Sequence, residues 1–278
     1  MSYLIKEEVW KKIDYKPHPK QELIHQSGAR FRALCTGRRF GKSVLASREA
    51  IYNILIDGKR GWIVAPNYEL TKKVFREVII ILNKVFPALI ERQSEANTYI
   101  KLRNGSELVG KSADNPVSLL GEGLDFLIID EAASIKREVW EEYLRPTLAD
   151  RKGWALFIST PKGKNWFYEE YVRGKDRKVK HQDGWNYLTS DNPYIPREEI
   201  AHAEKYLPER VFLQEFQGKF IEDIGGVFRG VRECVGGRLE EPDPNRSYVM
   251  GVDLAKYQDY TVVIVMDKVN KQVVYFDR

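Results

Sequence analysis

One stretch narrows the possible folds of this chain more than any other. The apolar run Phe31-Arg32-Ala33-Leu34-Cys35-Thr36 leads directly into Gly37-Arg38-Arg39-Phe40-Gly41-Lys42-Ser43, and from there into a segment with helical spacing. Strand, compact glycine-bearing turn and helix, in that order, are the setting a phosphate-binding loop requires. Successive backbone N–H groups of such a turn face a β-phosphate, and the following helix adds its positive end. Lys42 then reaches the β- and γ-phosphates, and Ser43 offers its hydroxyl to Mg²⁺. Gly37, Arg39, Gly41, Lys42, Ser43 and Val44 are therefore the expected nucleotide-binding residues. The strict spacing has Gly at position 36; here it is Thr36, with Gly37 one place later. A Gly-Lys-Ser turn that merely caps a helix is the plainer alternative, and the strand before it and a second motif downstream weigh against it.

That second motif is Leu127-Ile128-Ile129-Asp130-Glu131-Ala132-Ala133. Apolar residues bury a strand whose carboxyl end carries two acids, and ligand crevices in open α/β sheets lie at that end. Asp130 is expected to hold Mg²⁺, and Glu131 to orient and deprotonate the attacking water. A helix N-cap is the alternative for an isolated Asp-Glu pair. Two arginines inside the loop, Arg38 and Arg39, call for anionic partners, and phosphate oxygens would supply them. Arg38 is expected to act as an arginine finger in cis or as a sensor, with a surface salt bridge as the plainer reading. Upstream, Tyr15 and Gln21 pair an aromatic ring with an amide, a set that can hold adenine by stacking and by its edge. A proline-rich turn before a helix explains the same residues. Ser159 and Thr160, at the end of the apolar run Trp154–Ser159, would emerge beside the acids and sense loss of the γ-phosphate.

From residue 30 to 160 short apolar runs alternate with longer helical periods, which predicts a parallel sheet covered by helices. Val44, Ser47, Ile51, Ile54 and Leu55 define one helix; Leu70, Val74, Val78 and Leu82 define another. Asn104-Gly105 predicts a β-hairpin between residues 98–102 and 106–111. Residues 137–148 read as helical. The predicted organisation is a phosphate-loop core over 1–180, a smaller segment over 181–228 with two short helices and a strand-like Gly218–Glu222, and a glycine-rich linker over 229–246. The stretch 247–278 reads as opening strands of a further sheet, with the chain ending inside that domain.

The 278 residues carry a net charge of +5, and residues 247–278 hold four bases and four acids, so the excess lies in the first 246. That permits a nucleic-acid partner without requiring one. Two cysteines exclude a disulfide framework, four scattered histidines offer no zinc spacing, and no run approaches the roughly 18 apolar residues of a membrane span. A reducing cytoplasm is the expected compartment. The basic run from Arg173 to His181 is a solvated loop or a phosphate-contacting one.

Taken together, these segments resemble the ATPase domain of the large terminase subunit of tailed bacteriophages, the motor that packs double-stranded DNA into preformed capsids. Arg38-Arg39-Phe40-Gly41-Lys42-Ser43 fits that family's phosphate loop, which accounts for Thr36. Tyr15 to Gln21 matches its adenine segment, Trp62 to Pro66 its next strand, Asp130-Glu131-Ala132-Ala133 its acidic motif, and Ser159-Thr160-Pro161 its coupling motif. Asn192-Pro193 and Gln214-Glu215-Phe216 look like its lid. The resemblance implies a P-loop NTPase of the RecA-like (ASCE) kind, using ATP and Mg²⁺, monomeric in solution and ring-forming on the procapsid. It also implies the partners: double-stranded DNA, a portal protein, the small terminase subunit and further copies of the chain, in the host cell cytoplasm, away from membranes.

Gly251-Val252-Asp253-Leu254-Ala255 and Asp259-Tyr260-Thr261 are similar to the start of the terminase nuclease, which has an RNase H-like fold. Asp253 would be its first metal carboxylate and Asp259 a supporting one. Two-metal cleavage needs further carboxylates, so no nuclease activity is expected from these residues alone. One departure stands out: the family often has an arginine before the glycine at 121, proposed as a finger supplied in trans, and here it is Leu120. Lys111, Arg137, Arg145 or Arg38 in cis would have to serve instead. A helicase with paired RecA-like domains is the first alternative, opposed by the roughly 100 residues that follow the coupling motif, too few for a second such domain. A nucleotide-gated DNA-binding protein without turnover is the second, opposed by Glu131.

Overall fold

A computed structural model describes residues 5–221, 236, 243–254 and 260–278. The chain forms two compact units, Met1–Asp223 and Ile224–Arg278. The first begins with helices α1 (Lys6–Lys12) and α2 (Pro19–His25), then strand β1 (Phe31–Thr36), helix α3 (Lys42–Ile54), strand β2 (Arg60–Ala65) and helix α4 (Tyr68–Val85). Strands β3 (Ile90–Ser94), β4 (Tyr99–Leu102), β5 (Glu107–Ser112), β6 (Phe126–Asp130) and β7 (Trp154–Ser159) follow. Between β6 and β7 lie a π-helical turn, Val139–Leu144, and a short helix α5 (Arg145–Thr147). Helix α6 (Trp166–Lys175), strand β8 (Gln182–Tyr187) and helices α7 (Arg197–Tyr206) and α8 (Glu209–Glu215) complete the unit.

The sheet runs β3-β4-β5-β2-β6-β7-β1-β8. β5, β2, β6, β7, β1 and β8 are parallel, while β3 and β4 add an antiparallel edge. The predicted Asn-Gly hairpin is the β4–β5 connection, where Gly105 turns at φ +81°. α3 and α4 cover one face over Leu34, Ile51, Val78, Ile128 and Ile158; α6 and the π-turn cover the other over Ala33, Trp140, Phe157 and Phe167. Burial on both faces is why the parallel strands read as continuous apolar runs rather than alternating ones.

The sequence-based boundary at 180 moves. β8 pairs with β1 from Phe31↔Gln182 to Thr36↔Tyr187, so the core sheet continues to residue 187. Gln182-Asp183-Gly184-Trp185-Asn186-Tyr187 is an edge strand with a half-exposed face, so it lacks the apolar density that marks a central strand. Gly218–Ile221 is irregular, not a strand, and Glu222 lies outside the described residues. The helical reading of 137–148 holds in broad outline; the wider turn gives way to α5 next to Pro146, whose ring nitrogen has no hydrogen to donate. Most of the expected linker, 229–246, falls outside the described residues; 243–246 form a turn tied to the second unit through Arg246 and Asp267, 3.1 Å apart.

The second unit is an antiparallel sheet ordered β11-β10-β9, built from β9 (Tyr248–Asp253), β10 (Val262–Asp267) and β11 (Val273–Asp277). Asp253 ends β9, and Asp259 lies outside the described residues.

Candidate active site

The parallel strands deliver their carboxyl ends to one edge, and β1 and β6 are separated there by β7 alone. At about 4.8 Å between strands, the phosphate loop and the acids face each other over about 10 Å, enough for a phosphate chain and a cation. The loop itself turns through two left-handed residues, Arg39 at φ +62° and Gly41 at φ +101°. Gly41 caps α3, where Lys42 is the first helical residue.

Lys42 is buried at 8% exposure, and its Nζ donates to Thr36 Oγ1 at 3.3 Å and to Gly37 O at 3.4 Å. Burial pushes its amine down, and Glu131 followed by Asp130 pull it back up. Thr36, the departure from the usual loop, thus holds the lysine. Asp130 is 5% exposed; burial first, then the neighbouring Glu131, raise its carboxyl to about 6 from 3.8, against the pull of Lys42. Its Oδ1 accepts the Glu131 N–H at 3.0 Å. Glu131 occupies a left-handed conformation, φ +49°, which turns its side chain off the strand line toward β7. There Thr160 Oγ1 lies 3.4 Å and Ser159 Oγ 3.3 Å from Glu131 Oε2; Ser159 Oγ also reaches Thr160 O at 2.7 Å and accepts the Ala133 N–H at 3.2 Å. Ser43 and Val44 are exposed at the mouth of the loop.

Asp130 and Ser43 are hard oxygen donors at the end of β6 and the start of α3. They fit Mg²⁺, which takes few protein ligands and completes its shell with water and substrate phosphates. Among the described residues no group of three or more His, Cys, Asp or Glu forms a metal cage, in keeping with that mode.

The back of the loop is held by the end of β8 and by the segment 188–216, part of the expected lid. The Gly37 N–H donates to Tyr187 O at 3.0 Å, and the Arg38 N–H to Glu215 O at 2.6 Å. Thr189 Oγ1 donates to Arg38 O and Asn192 Nδ2 to Arg39 O, both at 2.7 Å. The Arg38 guanidinium, 70% exposed, pairs with the Glu215 carboxylate rather than with the acids across the sheet. Arg39 is exposed. The hold of these residues on the loop is not legible in the sequence, because it runs through backbone carbonyls.

Tyr15 packs its ring edge-on to Trp10, 5.4 Å between centres, lies under the Arg48 guanidinium at 5.3 Å, and bonds His25 Nε2 through its hydroxyl at 3.0 Å. Gln21 accepts from His18 N at 3.1 Å and donates to Gly41 O at 3.2 Å. One amide hydrogen and one lone pair remain, the pair an adenine edge needs. Leu120 is 56% exposed after the turn Pro116–Leu119. The bases considered in its place are engaged: Lys111 with Ser118 O and the Trp62 ring, Arg137 with Glu141 and Glu169, Arg145 over the Phe31 ring.

The Gly37–Ser43 loop after β1 and the acid pair at the end of β6, with one strand between them, make the candidate nucleotide site of a mostly parallel α/β sheet. Residues 33–233 match the family described as terminase large subunit, T4likevirus-type, N-terminal. The chain is 36% identical over 306 aligned residues to the terminase large subunit of Thermus virus P23-45, covering 96% of this chain and 63% of that one. It is 31% identical to the terminase large subunit of Escherichia phage T5, over 85% of this chain and 56% of that one. The solved ATPase domain of the Thermus phage P74-26 large terminase superposes with a TM-score of 0.69 at 33% identity, covering 77% of this chain and 98% of that domain. The chain belongs to the terminase large subunit family, carries its ATPase-domain fold, and spans about three-fifths of the length of the curated relatives it matches.

Proposed function

We propose that this chain hydrolyses ATP to drive double-stranded DNA into a procapsid. The observation that carries the reading is the meeting of Lys42, Asp130 and Glu131 at one sheet edge, with the Ser159 and Thr160 hydroxyls on the Glu131 carboxylate. In the reaction, a water oxygen forms a bond to the γ-phosphorus as the bond from that phosphorus to the β–γ bridging oxygen breaks, and the water's proton passes to Glu131. Lys42 offsets charge on the phosphate oxygens, Ser43 and Asp130 would hold Mg²⁺, and Arg38 joins them on leaving Glu215. Mg²⁺, when bound, neutralises the β- and γ-oxygens. Tyr15 and Gln21 hold the base. Ser159 and Thr160, on the strand between loop and acids, carry the loss of the γ-phosphate to the lid.

Partners follow from the family: double-stranded DNA, a portal protein, the small terminase subunit and further copies in a ring, all in the host cytoplasm. Asp253 and Asp259 belong to the start of the nuclease on this reading. No helix among the described residues is long and apolar enough to cross a membrane.

The test is steady-state ATP hydrolysis per molecule across a concentration series, for the chain and for Glu131→Gln. Loss of turnover in the variant with nucleotide binding retained supports the assignment; equal turnover sinks it. Specific activity that stays flat with concentration favours Arg38 in cis, and activity that climbs favours a group donated by a neighbouring copy.

A further inference from the structure

At the amino-terminal ends of β7, β1 and β8, the end of the sheet away from the nucleotide, the surface is concave and basic. A cavity of about 370 Å³ is lined by Lys6, Arg30, Arg32 and Lys152 with a single carboxylate, Glu49. That carboxylate is already shared by Lys6 at 2.7 Å, His25 at 2.6 Å and Arg32 at 3.2 Å. Arg32 has 4% of its side chain exposed, and its Nε is buried with no partner. Arg30 spends its donors on the carbonyls of Gly153 and Leu148, which carry no charge to offset its own. Lys152 has no ion pair among the described residues.

The turn Ser27-Gly28-Ala29 links this cavity to two neighbouring concavities of about 420 Å³ each, which add Lys175 and Arg177 from the basic run that the catalytic site leaves unused. Neither has an ion pair among the described residues. The carboxylates nearby are bound locally: Asp183 accepts from Ser27 Oγ at 2.5 Å, and Asp176 from the Lys178 N–H at 2.9 Å. Six cations thus face three occupied carboxylates around one turn. From Lys42 to Asn53 the α3 axis runs about 16 Å, so a ligand here is separate from ATP.

Cations spread over adjoining open concavities match a chain of spaced phosphates better than one compact anion, which needs an enclosing cradle. We propose that this belt, with Arg30, Lys152, Lys175 and Arg177 as its accessible charges, binds the phosphodiester backbone of double-stranded DNA. The proposal rests on the packaging reading and gives the DNA a place on the ATPase unit. Contacts are to backbone alone, so binding is independent of sequence.

The test titrates a fluorescent 30-base-pair duplex with the full chain at several salt concentrations. It compares Lys152→Gln/Lys175→Gln/Arg177→Gln with a control of equal charge loss, Lys11→Gln/Lys84→Gln/Lys205→Gln. All six residues are exposed. The belt variant is expected to lose at least about tenfold in affinity at 100 mM salt, with a log–log salt slope lower by about 2 to 3, while DNA-free ATP hydrolysis and the control stay at wild-type values. Wild-type affinity in the belt variant overturns the proposal and leaves the motor reading standing. Absence of duplex binding by the wild-type chain even at low salt overturns both. If the belt variant instead loses saturable binding of inorganic pyrophosphate with duplex affinity unchanged, the belt is a free-anion site and the proposal fails.

Discussion

The hydroxyl of Thr160, just beyond β7, sits 3.4 Å from Oε2 of Glu131, just beyond β6. Ser159 Oγ approaches the same oxygen at 3.3 Å but donates its one hydrogen to Thr160 O, 2.7 Å from Oγ, so Thr160 is the freer donor. A carboxylate anchored through Oε2 keeps Oε1 for a water. Contacts of this length in an empty site tighten when substrate fills it. Thr160→Val is expected to lower kcat about tenfold, the equivalent of about 1.4 kcal/mol, with KM for ATP within about twofold. In a Glu131→Gln background the same change should add nothing, because the group it positions is gone. Additive losses in that double-mutant cycle would assign Thr160 a role apart from Glu131.

Asp130 costs the metal-free, nucleotide-free fold stability at neutral pH. Its folded value, about 6, lies above the usual 3.8, so the fold favours the protonated acid. Its contribution is fully present below about pH 4 and is lost as pH rises through 6. Two units correspond to about 3 kcal/mol as an upper figure. Asp130→Asn should therefore raise the melting temperature of the metal-free, nucleotide-free protein at pH 7.5, and the gain should shrink to nothing near pH 4. Thermal scans with a chelator present read this directly; a variant that melts lower at pH 7.5 contradicts it.

Glu49 ties the amino-terminal helices to the sheet. Its buried carboxylate meets Lys6 from α1, His25 from α2 and Arg32 from β1. Arg32 first, among its favourable partners, holds the carboxyl well below the usual range in spite of burial. Removing the charge strands the cations, and breaking a buried pair costs about 3–5 kcal/mol. Glu49→Gln should lower the melting temperature by about 10 °C at pH 7. A depressed carboxyl contributes stability that is present above its unfolded value and lost as pH falls below it. His25, pushed down by burial, acts in the same direction below its ordinary 6.5. Wild type should thus weaken progressively below pH 6.5, and its margin over Glu49→Gln should narrow below about pH 4.5. A margin independent of pH would show that packing, not charge, is what Glu49 supplies.

How much of this was legible in the sequence follows from where the signal lies. The loop from Gly37 to Ser43 and the strand ending in Asp130-Glu131 are local motifs in buried strands, so residue type and spacing carry them. β3 and β8 are polar edge strands whose pairing partners, not their composition, make them strands. Glu49 reads as a solvated helix residue until α1, α2 and β1 bring Lys6, His25 and Arg32 to it. For Arg38 the sequence offers both a phosphate partner and a surface salt bridge; the structure shows the salt bridge, with Glu215, 177 positions away, a partner that only the fold supplies.

Gly37 tests whether the lid sets the shape of the phosphate loop. A Cβ at this position would strike Phe216 O, come within 2.8 Å of Phe216 C and within 2.5 Å of Thr189 Oγ1. Backbone cannot yield as a flexible side chain does, so Gly37→Ala must push the loop off the lid and strain the bonds that Tyr187, Glu215 and Thr189 make to it. The expected result is an ATP-analogue affinity lower by at least about tenfold, which is 1.4 kcal/mol. Asn192→Ala removes a single bond to the loop, from Nδ2 to Arg39 O, together with the local one that Oδ1 accepts from the Tyr194 N–H, and creates no clash, so a loss of about twofold to fivefold is expected, with melting within about 3 °C of wild type. Titration with a fluorescent nucleotide analogue orders the two variants. If Gly37→Ala binds as tightly as wild type, the loop keeps its shape without these contacts, and the coupling proposed above must run through Ser159 and Thr160 alone.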